Sequence, residues 1–345
     1  MTRRLLLSAL TASAATAAAQ QQRKPPIGIG FLGVSHSHGI GKLAAVRASP
    51  DFRLIGICES DPKLREKLRA DGIALLERDQ LLRHPEVRVI AVESAVRNHA
   101  ADGLAVLEAG KHLHLEKAPA DKMAAFEKVV DAVRRTGLAL QIGYMWRYNP
   151  GMIKAIEAAR SGWLGSVYLV RGSIGNQLPA AQRPEWAEFP GGTMFELGGH
   201  LIDATVRLMG KPRKVTPFLH TDGGFGDVLR DNTVAVLEWE KATGMVQSAN
   251  LEPNAGRYRV FEIHGTNGCA ILNPIEPPSL MIDLDKPAGP YPKGQQKFAF
   301  PPYQRFVDDF MELAAVVRGE ARLGATLDEE LIVEEALLRC SGMYG

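Results

Sequence analysis

A-V-L-E-A-G-K-H-L-H-L-E-K-A-P-A, residues 105–120, is the stretch that decides the fold of this chain. Its first part closes a helix, and Gly110 is the residue type that commonly caps a helix end. His112–Leu115 alternates as a short strand does, which places Glu116 and Lys117 where that strand ends. Open α/β sheets bind ligands beyond the carboxyl ends of their strands. The stretch therefore predicts a parallel α/β sheet with Lys117 directed toward a bound ligand.

The first strand of that sheet and the turn after it carry a dinucleotide-binding pattern. An apolar run at 27–32 is followed by G-V-S-H-S-H-G and a helix. The fingerprint G-x-G-x-x-G matches formally from Gly28, but its first two glycines fall within the strand, whereas the phosphate turn must follow it. The register that begins at Gly33 puts Ser35 and His38 where later glycines are usual, and a hydroxyl with a helix N-terminus can still hold a pyrophosphate. The predicted cofactor contacts of this turn are Gly33, Ser35, His36 and His38.

The second strand, at 53–58, ends at Glu59, which lies 26 residues after Gly33. A carboxylate at this position can accept hydrogen bonds from both ribose hydroxyls of NAD, and it would repel the 2′-phosphate of NADP. We therefore expect NAD as the cofactor, with NADP disfavoured. The almost continuous apolar run at 87–92 is typical of a third strand, buried on both faces of a parallel sheet.

The second half of the chain has a different pattern. After a helix at 152–161, short strands recur between residues 166 and 284, and two helices, at 303–318 and 327–341, close the chain. This order predicts an α+β domain with an open, mostly antiparallel sheet. The predicted division is a linker at 21–26, a dinucleotide-binding domain at 27–143 and a second domain at 144–345, for which substrate binding and dimerisation are what a family resemblance implies.

Two motifs resemble those of the Gfo/Idh/MocA oxidoreductase family, and the resemblance covers almost all of the chain after its N-terminal segment. The opening stretch resembles the family's E-K-P signature, with Ala118 where proline is usual; in the family that lysine–proline bond tends to be cis. Residues 191–203, G-G-T-M-F-E-L-G-G-H-L-I-D, match the family pattern at His200 and Asp203, with Glu196 where aspartate is usual. The resemblance implies a Rossmann-type N-terminal domain, an oxidoreductase activity and a C-terminal sheet whose exposed face forms a dimer.

The spacing of Glu196, His200 and Asp203 puts all three on one face of a helix. In the family this helix faces the lysine across the nicotinamide. Oxidation of an alcohol needs a base for the hydroxyl proton, and imidazole suits that exchange near neutral pH. We expect His200 as the base, Glu196 as the group that orients its ring, and Lys117 as the donor to the substrate oxygen. Further expected contacts are Glu93, His99, Glu116 and Lys117 to the cofactor, and Arg147, Tyr148, Asn176 and Asp203 to the substrate.

The first 20 residues predict an export signal. Arg3 and Arg4 precede a short apolar run and an acid-free stretch of small residues that ends at Ala19. These are the three regions of a signal peptide, and the twin arginine favours the Tat route to the periplasm. Cleavage there would change 41 basic and 39 acidic residues to 39 of each. A neutral mature chain gives no electrostatic case for binding nucleic acid or anionic lipid.

Other features narrow the class of protein. No stretch of the mature chain approaches ~18 consecutive apolar residues, so we expect no membrane span. The three cysteines, Cys58, Cys269 and Cys340, are widely spaced and predict no disulfide framework. The pairs His36–His38 and His112–His114 have a spacing that can chelate a metal. No cysteine lies near them, and we expect no metal site.

These observations predict an exported NAD-dependent oxidoreductase that acts on a sugar, a polyol or a related hydroxyl compound and forms a homo-oligomer through its C-terminal sheet. Two other functions stay open. A glycosidase that uses bound NAD for transient oxidation would keep every motif above. A nucleotide-binding sensor without catalysis would predict damage at Lys117 or His200, and both residues are present.

Overall fold

The computed structural model describes residues 24–344. The predicted signal peptide at 1–20 and the first part of the predicted linker lie outside the described residues. The N-terminal half contains a five-stranded sheet in the order β2-β1-β3-β4-β5, in which every pair of neighbours is parallel. Its strands are β1 (Ile27–Leu32), β2 (Phe52–Cys58), β3 (Val89–Val92), β4 (His112–Leu115) and β5 (Leu140–Ile142). Its helices are α1 (Gly39–Ala48), α2 (Pro62–Ala70), α3 (Arg78–Arg83), α4 (His99–Glu108) and α5 (Met123–Thr136).

The C-terminal half contains an eight-stranded sheet in the order β13-β12-β11-β10-β6-β9-β8-β7, antiparallel except for the pair β6–β9. Its strands are β6 (Val167–Gly175), β7 (Lys214–His220), β8 (Asn232–Glu238), β9 (Thr243–Ala249), β10 (Val260–Gly265), β11 (Gly268–Leu272), β12 (Leu280–Leu284) and β13 (Gly294–Phe298). Its helices are α6 (Pro150–Arg160), α7 (Arg183–Trp186), α8 (Gly199–Met209), α9 (Val307–Val317) and α10 (Leu327–Cys340).

The burial of the strands explains the two kinds of sheet. Every residue of β1 and β3 is buried, because helices cover both faces of a parallel sheet. In β8 buried residues alternate with partly exposed ones, as expected where one face packs on the core and the other faces solvent. The predicted fold class, a Rossmann-type domain followed by an α+β domain with a mostly antiparallel sheet, is confirmed.

The structure adds several local details. Helix α5 begins at Met123 after Lys122, and Gly137, with φ +69°, ends it. The helix that follows β3 starts as a 3-10 turn, and its α-helical part begins at His99. Strand β13 was not predicted, because its sequence G-Q-Q-K-F lacks the apolar residues of an inward row. The Lys117–Ala118 peptide bond is cis.

The C-terminal helices pack back on the body of the protein. Phe306, just before α9, lies against α1 so closely that a Cβ on Gly41 would be 2.7 Å from its ring. Arg318, just after α9, pairs with Asp51 of the N-terminal half at 2.6 Å. Helix α10 packs on α8 and α5. Within residues 24–344, no helix combines the length and the apolar character that crossing a bilayer requires.

Candidate active site

A cavity of about 350 Å³ lies between the carboxyl edge of the parallel sheet and the second domain. Lys117 reaches it from the end of β4, while Glu196 and His200 reach it from the segment that leads into α8. The structure thus brings the three predicted catalytic side chains to one cavity from two domains. Lys117 is 4% exposed and His200 2% exposed, so both are shielded from bulk water.

Lys117 contacts Glu196, whereas His200 lies among aromatic rings. The Lys117 ammonium donates a hydrogen bond to the Glu196 carbonyl oxygen at 2.7 Å and lies 3.8 Å from the Glu196 carboxylate. The His200 ring lies 5.2 Å from the Trp146 ring and 5.9 Å from the His38 ring, measured between centroids. Among the described residues, Nδ1 of His200 is buried and has no hydrogen-bond partner. Because His200 also lines the cavity, its ring can exchange a proton with a ligand bound there.

Burial determines the protonation state of His200. It lowers the pKa of the His200 ring well below its ordinary value, and the nearby Lys117 and His38 lower that pKa further. The imidazole is therefore neutral near pH 7 and can act as a base. Burial also raises the pKa of Glu196, although Lys117 opposes that rise.

The predicted orienting role of Glu196 is not what the contacts show. Met194–Gly198 forms a π-helical turn, and the α-helix begins only at Gly199. A π turn spreads its residues more widely than an α turn, so the four-residue spacing does not align Glu196 with His200. The Glu196 carboxylate lies beside Lys117 instead. Its contacts favour a role in holding the lysine rather than the histidine ring.

A buried ionic cluster lies directly behind the turn that follows β1. Lys42 of α1 donates to the Glu93 carboxylate at 2.7 Å and also to the Glu116 carboxylate. Glu116 in turn is bonded to Nδ1 of His38 at 2.9 Å and lies 3.7 Å from Nδ1 of His36. Lys42, Glu93 and Glu116 are completely buried, so the charged core of this cluster joins α1 to the ends of β3 and β4 without reaching solvent.

The charges in the cluster support one another. Burial alone would lower the pKa of Lys42, but Glu116 and Glu93 outweigh it and raise that pKa. Burial alone would raise the pKa of Glu116, but Lys42, His38 and His36 hold it well below its ordinary value. Burial dominates at Glu93 and raises its pKa. The Lys42–Glu116 pair is therefore the ionised core of the cluster.

Two groups of potential metal ligands lie in this region: His36, His38 and Glu116, and Glu93, His114 and Glu116. The fold brings Glu116 to the histidine pair of the turn, which the sequence alone could not indicate. Both groups share Glu116, whose other oxygen already accepts from the Lys42 ammonium. Lys42 thus supplies the positive charge that this carboxylate needs.

A second cavity, of about 410 Å³, follows the carboxyl ends of β1, β2 and β3 and has the features of a dinucleotide groove. Ser35 lines both this cavity and the catalytic one, so the two adjoin at the turn. Gly33 has φ +75°, and a Cβ there would lie 2.8 Å from the Ser94 backbone. This glycine therefore allows the turn to pack closely on β3. The groove fits the extended shape of NAD, with Ser35 where a pyrophosphate would pass.

Glu59 lines the groove, as predicted, but it is also tied to the backbone. Its carboxylate accepts hydrogen bonds from the N–H groups of Val34, Ser60 and Asp61 at 2.8, 2.7 and 2.9 Å. A carboxylate has about four acceptor positions, so one remains for a ribose hydroxyl. The structure thus assigns Glu59 a part in shaping the turn in addition to its predicted contact with the cofactor.

The remaining predicted residues divide into two groups. Asn176 lines the catalytic cavity. Arg147 pairs with Asp203 at 2.7 Å and with Glu330 at 2.5 Å, facing another cavity. Tyr148 bonds Glu312 at 2.6 Å and also faces away from the catalytic cavity. The structure therefore does not place Arg147, Tyr148 or Asp203 against the substrate.

Of the predicted cofactor contacts, His36 and His38 line the catalytic cavity, while Glu116 and Glu93 lie in the cluster behind it. His99 is buried, with its ring nitrogens 2.8 Å from the Ala118 carbonyl and 2.9 Å from the Ser94 carbonyl. It joins the ends of two strands instead of facing the groove.

Sequence reasoning missed several residues of this site. Lys42 lies among the buried residues of α1. Its carboxylate partners follow strands that are distant in the sequence, so residue spacing does not indicate the cluster. Arg259 and Arg305 had no motif, and only the fold brings them to the catalytic cavity. The cavity residues that the sequence did not single out include Trp146, Trp186, Glu185, Arg259 and Arg305.

The fold and this site define a two-domain oxidoreductase that binds a nicotinamide dinucleotide. Residues 27–144 match the model of the oxidoreductase family with an NAD-binding Rossmann fold, and residues 152–271 match the GFO/IDH/MocA C-terminal domain. Together the two models span more than half of the chain. The protein belongs to the GFO/IDH/MocA oxidoreductase family.

Several similar curated proteins are dehydrogenases. Levoglucosan dehydrogenase of Pseudarthrobacter phenanthrenivorans is 24% identical over 283 residues, 72% of each chain. The scyllo-inositol 2-dehydrogenase (NADP(+)) of Bacillus subtilis is 22% identical, over 72% of this chain and 70% of that protein. The predicted class of enzyme, an NAD(P)-dependent oxidoreductase acting on CH–OH groups, is confirmed.

Solved structures agree on the fold. Levoglucosan dehydrogenase in complex with NADH and levoglucosan superposes with a TM-score of 0.78 at 19% identity, covering 92% of this chain and 98% of that one. GenD2 from gentamicin A biosynthesis, in complex with NAD, gives 0.77 at 20% identity, covering 93% and 96%. These matches confirm the two-domain architecture.

Proposed function

We propose that the protein oxidises a hydroxyl group of a sugar, a polyol or a related compound, with NAD as the hydride acceptor and His200 and Lys117 as the catalytic residues. The observation that carries the proposal is the shared cavity of Lys117 and His200, which adjoins the dinucleotide groove at Ser35. Relatives named as levoglucosan and inositol dehydrogenases support the substrate class.

The chain's own residues account for the proton chemistry. The neutral His200 ring accepts the hydroxyl proton, because it lines the catalytic cavity and burial keeps it unprotonated. The Lys117 ammonium, held at the Glu196 carbonyl, donates a hydrogen bond that stabilises negative charge on the substrate oxygen. When bound, the nicotinamide ring supplies the hydride acceptor. Trp146 packs against His200 and limits the access of water.

NAD is the proposed cofactor in preference to NADP. Glu59 has one acceptor position left for a ribose hydroxyl, and its negative charge disfavours a 2′-phosphate. NADH should bind at least about 10-fold more tightly than NADPH, a difference of about 1.4 kcal/mol. Titration of both nucleotides by fluorescence tests this preference, and equal dissociation constants would exclude it.

The main experiment measures nicotinamide reduction by the purified protein with a panel of sugars and polyols. We expect NADH formation with at least one compound and its loss in the Lys117→Ala and His200→Ala variants. Release of an aglycone from a glycoside without added NAD and without net NADH would instead identify the glycosidase. Nucleotide binding with neither reaction across the panel would favour the sensor.

Export by the Tat route is part of the proposal, and it depends on Arg3 and Arg4 of the sequence. The double change Arg3→Lys and Arg4→Lys should leave folded protein in the cytosol, because the Tat system reads the twin arginine. Cell fractionation with an antibody against the protein checks this. Normal periplasmic delivery of the variant would exclude Tat.

Assembly through the solvent face of the eight-stranded sheet is also proposed. Phe218 lies opposite Val234 and Val236 lies opposite Met245 on that face, and Phe218 and Met245 are 48% and 38% exposed. A row of apolar side chains on an open sheet is typical of a protein interface. Met245→Glu should lower the mass measured by light scattering, and a monomeric parent protein would contradict the proposal.

A further inference from the structure

Two guanidinium groups line the catalytic cavity. They belong to Arg259, just before β10, and Arg305, just before α9. Arg259 also lines an adjoining cavity of about 540 Å³, together with Asn176. Lys117 and His200 are not among the residues that line this adjoining cavity, so it has space for a part of the substrate away from the reacting hydroxyl.

The two arginines share one carboxylate within ion-pair distance. Glu276 makes a two-pronged pair with Arg305, whose Nε donates at 2.6 Å. The same carboxylate lies 4.0 Å from Arg259, beyond hydrogen-bond distance. Arg259 instead directs Nε and Nη2 to the Gly175 carbonyl oxygen at 3.2 and 3.1 Å. Among the described residues, Nη1 of Arg259 therefore has no acceptor within hydrogen-bond distance.

The low exposure of Arg259 and the positive charge of Arg305 beside it favour the binding of an anion. The Arg259 side chain is only 18% exposed. Burial and the neighbouring Arg305 lower the pKa of Arg259 despite Glu276 and Glu252. Glu252 is the other acid that faces it, and burial raises the pKa of that carboxyl as well. Because a buried charge is costly without a partner, an anionic ligand would be favoured here.

We propose that Arg259 and Arg305 form an anion subsite, and that the substrate is a sugar that carries a carboxylate or a phosphate at a carbon remote from the reacting hydroxyl. This inference rests on the proposed function and names its substrate class. Guanidinium groups bind both anions through paired hydrogen bonds, so the chemistry shared by uronic acids and sugar phosphates defines the ligand.

The rest of the cavity would orient such a sugar. Glu185 lines it and faces Glu196, which makes that wall unfavourable for an anion. Trp146 and Trp186 offer apolar ring surface to the sugar. Oδ1 of Asn176 is buried without a partner among the described residues, and it can accept from a sugar hydroxyl. The anion therefore lies at the arginines and the neutral hydroxyl groups lie toward His200.

The experiment measures binding of matched sugars to the complex of the protein with NADH by titration calorimetry. D-Glucose is compared with D-glucuronate and D-glucose 6-phosphate, and D-galactose with D-galacturonate. At least one anionic sugar should bind at least about 10-fold more tightly than its neutral partner, since hydrogen bonds to charged groups are the stronger ones. The uronate and phosphate arms show which anion is recognised.

Variants locate the effect. Arg259→Gln can still donate to the Gly175 carbonyl but lacks the charge, and it should lower the anionic-to-neutral affinity ratio by about 10- to 100-fold. Arg259→Lys should restore part of that ratio. Arg322→Gln removes the same charge from an exposed loop and should leave the ratio unchanged. Circular dichroism establishes that each variant is folded.

Two outcomes would overturn the subsite: no anionic sugar binding better than its neutral partner, or an anionic preference that persists in Arg259→Gln. NADH formation, measured separately, distinguishes this failure from failure of the proposed function. Oxidation of neutral sugars with no anionic preference overturns the subsite alone. Anionic preference in binding without oxidation of any sugar supports the subsite and contradicts the dehydrogenase.

Discussion

Lys42 and Lys117 lie at the same edge of the parallel sheet, but their surroundings are opposite. Lys42 is completely buried and contacts two carboxylates, those of Glu93 and Glu116. Lys117 lines a cavity and is held by one carbonyl oxygen, with the nearest carboxylate 3.8 Å away. The first ammonium is paired with two carboxylates, whereas the second has no carboxylate within hydrogen-bond distance among the described residues and retains donors for a ligand. The number of partners, more than burial alone, separates a structural lysine from a catalytic one.

His38 and His200 repeat the contrast. His38 is bonded to the Glu116 carboxylate at 2.9 Å and so belongs to the buried ionic cluster. His200 has an unpartnered Nδ1 among the described residues and lies against Trp146. Side chains of the buried ionic cluster should affect the free energy of unfolding, while those of the catalytic cavity should affect the turnover rate. Substitutions at the two sites can break this comparison.

The largest expected effect belongs to the open cavity. If His200 is the base, His200→Ala should lower the turnover rate by about 10²–10⁴-fold while the dissociation constant for NADH stays nearly unchanged. Steady-state kinetics and a nucleotide titration measure the two quantities. An unchanged turnover rate would remove His200 from the mechanism.

The double variant sharpens this result. Lys117→Ala should also lower turnover, and the combination with His200→Ala should lose much less than the product of the single effects, because residues that act as a unit are not additive. Fully multiplicative losses would mean that the two side chains do not act on the same substrate oxygen.

Substitution in the buried ionic cluster should have a smaller effect, and this effect should be on the free energy of unfolding. Lys42→Met leaves Glu116 buried without its ammonium partner and should lower the free energy of unfolding by about 3–5 kcal/mol. Lys117→Met removes one hydrogen bond at a cavity wall and should cost about 1.5–3 kcal/mol. Urea unfolding followed by circular dichroism compares the two variants.

A rescue tests the cause of that difference. Adding Glu116→Gln to Lys42→Met removes the unpaired charge and should recover part of the lost stability. If Lys117→Met destabilises the protein as much as Lys42→Met does, or if the rescue fails, the distinction between the two lysines is wrong.

The parts of this molecule that the sequence predicts are those that local pattern determines. The strand at residues 27–32 has the bounds that its apolar run predicts. The positions of the proposed catalytic residues Lys117 and His200 at one cavity were predictable because motifs surround them. Strand β13 was not, because an exposed edge strand needs no apolar row.

Long-range contacts account for the rest. Arg147 follows β5 where a substrate contact is plausible, yet it pairs with Asp203 and Glu330, whose positions depend on α8 and α10. The π turn at Met194–Gly198 changes the direction of Glu196 in a way that residue spacing alone does not reveal. Ion pairs between distant elements and local changes of helical pitch depend on tertiary packing. They were therefore the least predictable features of the site.

The smallest expected effect is a displacement of the acid limb of the rate. Burial, Lys117 and His38 lower the pKa of His200, and only the neutral ring accepts a proton. Activity should therefore rise with pH through that lowered pKa and be lost below it. With the nucleotide saturating, kcat/KM for the sugar reports the enzyme–nucleotide complex, and its acid limb should fall below pH 6.5, the ordinary value for imidazole. Lys117→Met removes one of the positive charges that lower this pKa, so in that variant the limb should move upward, toward pH 6.5. Rate profiles between pH 4 and 8 with a saturating nucleotide measure both positions. An acid limb at or above pH 6.5 in the parent protein, or no displacement in Lys117→Met, would contradict the assignment of His200 as a base. It would contradict in particular a base that lies near the charged ammonium of Lys117.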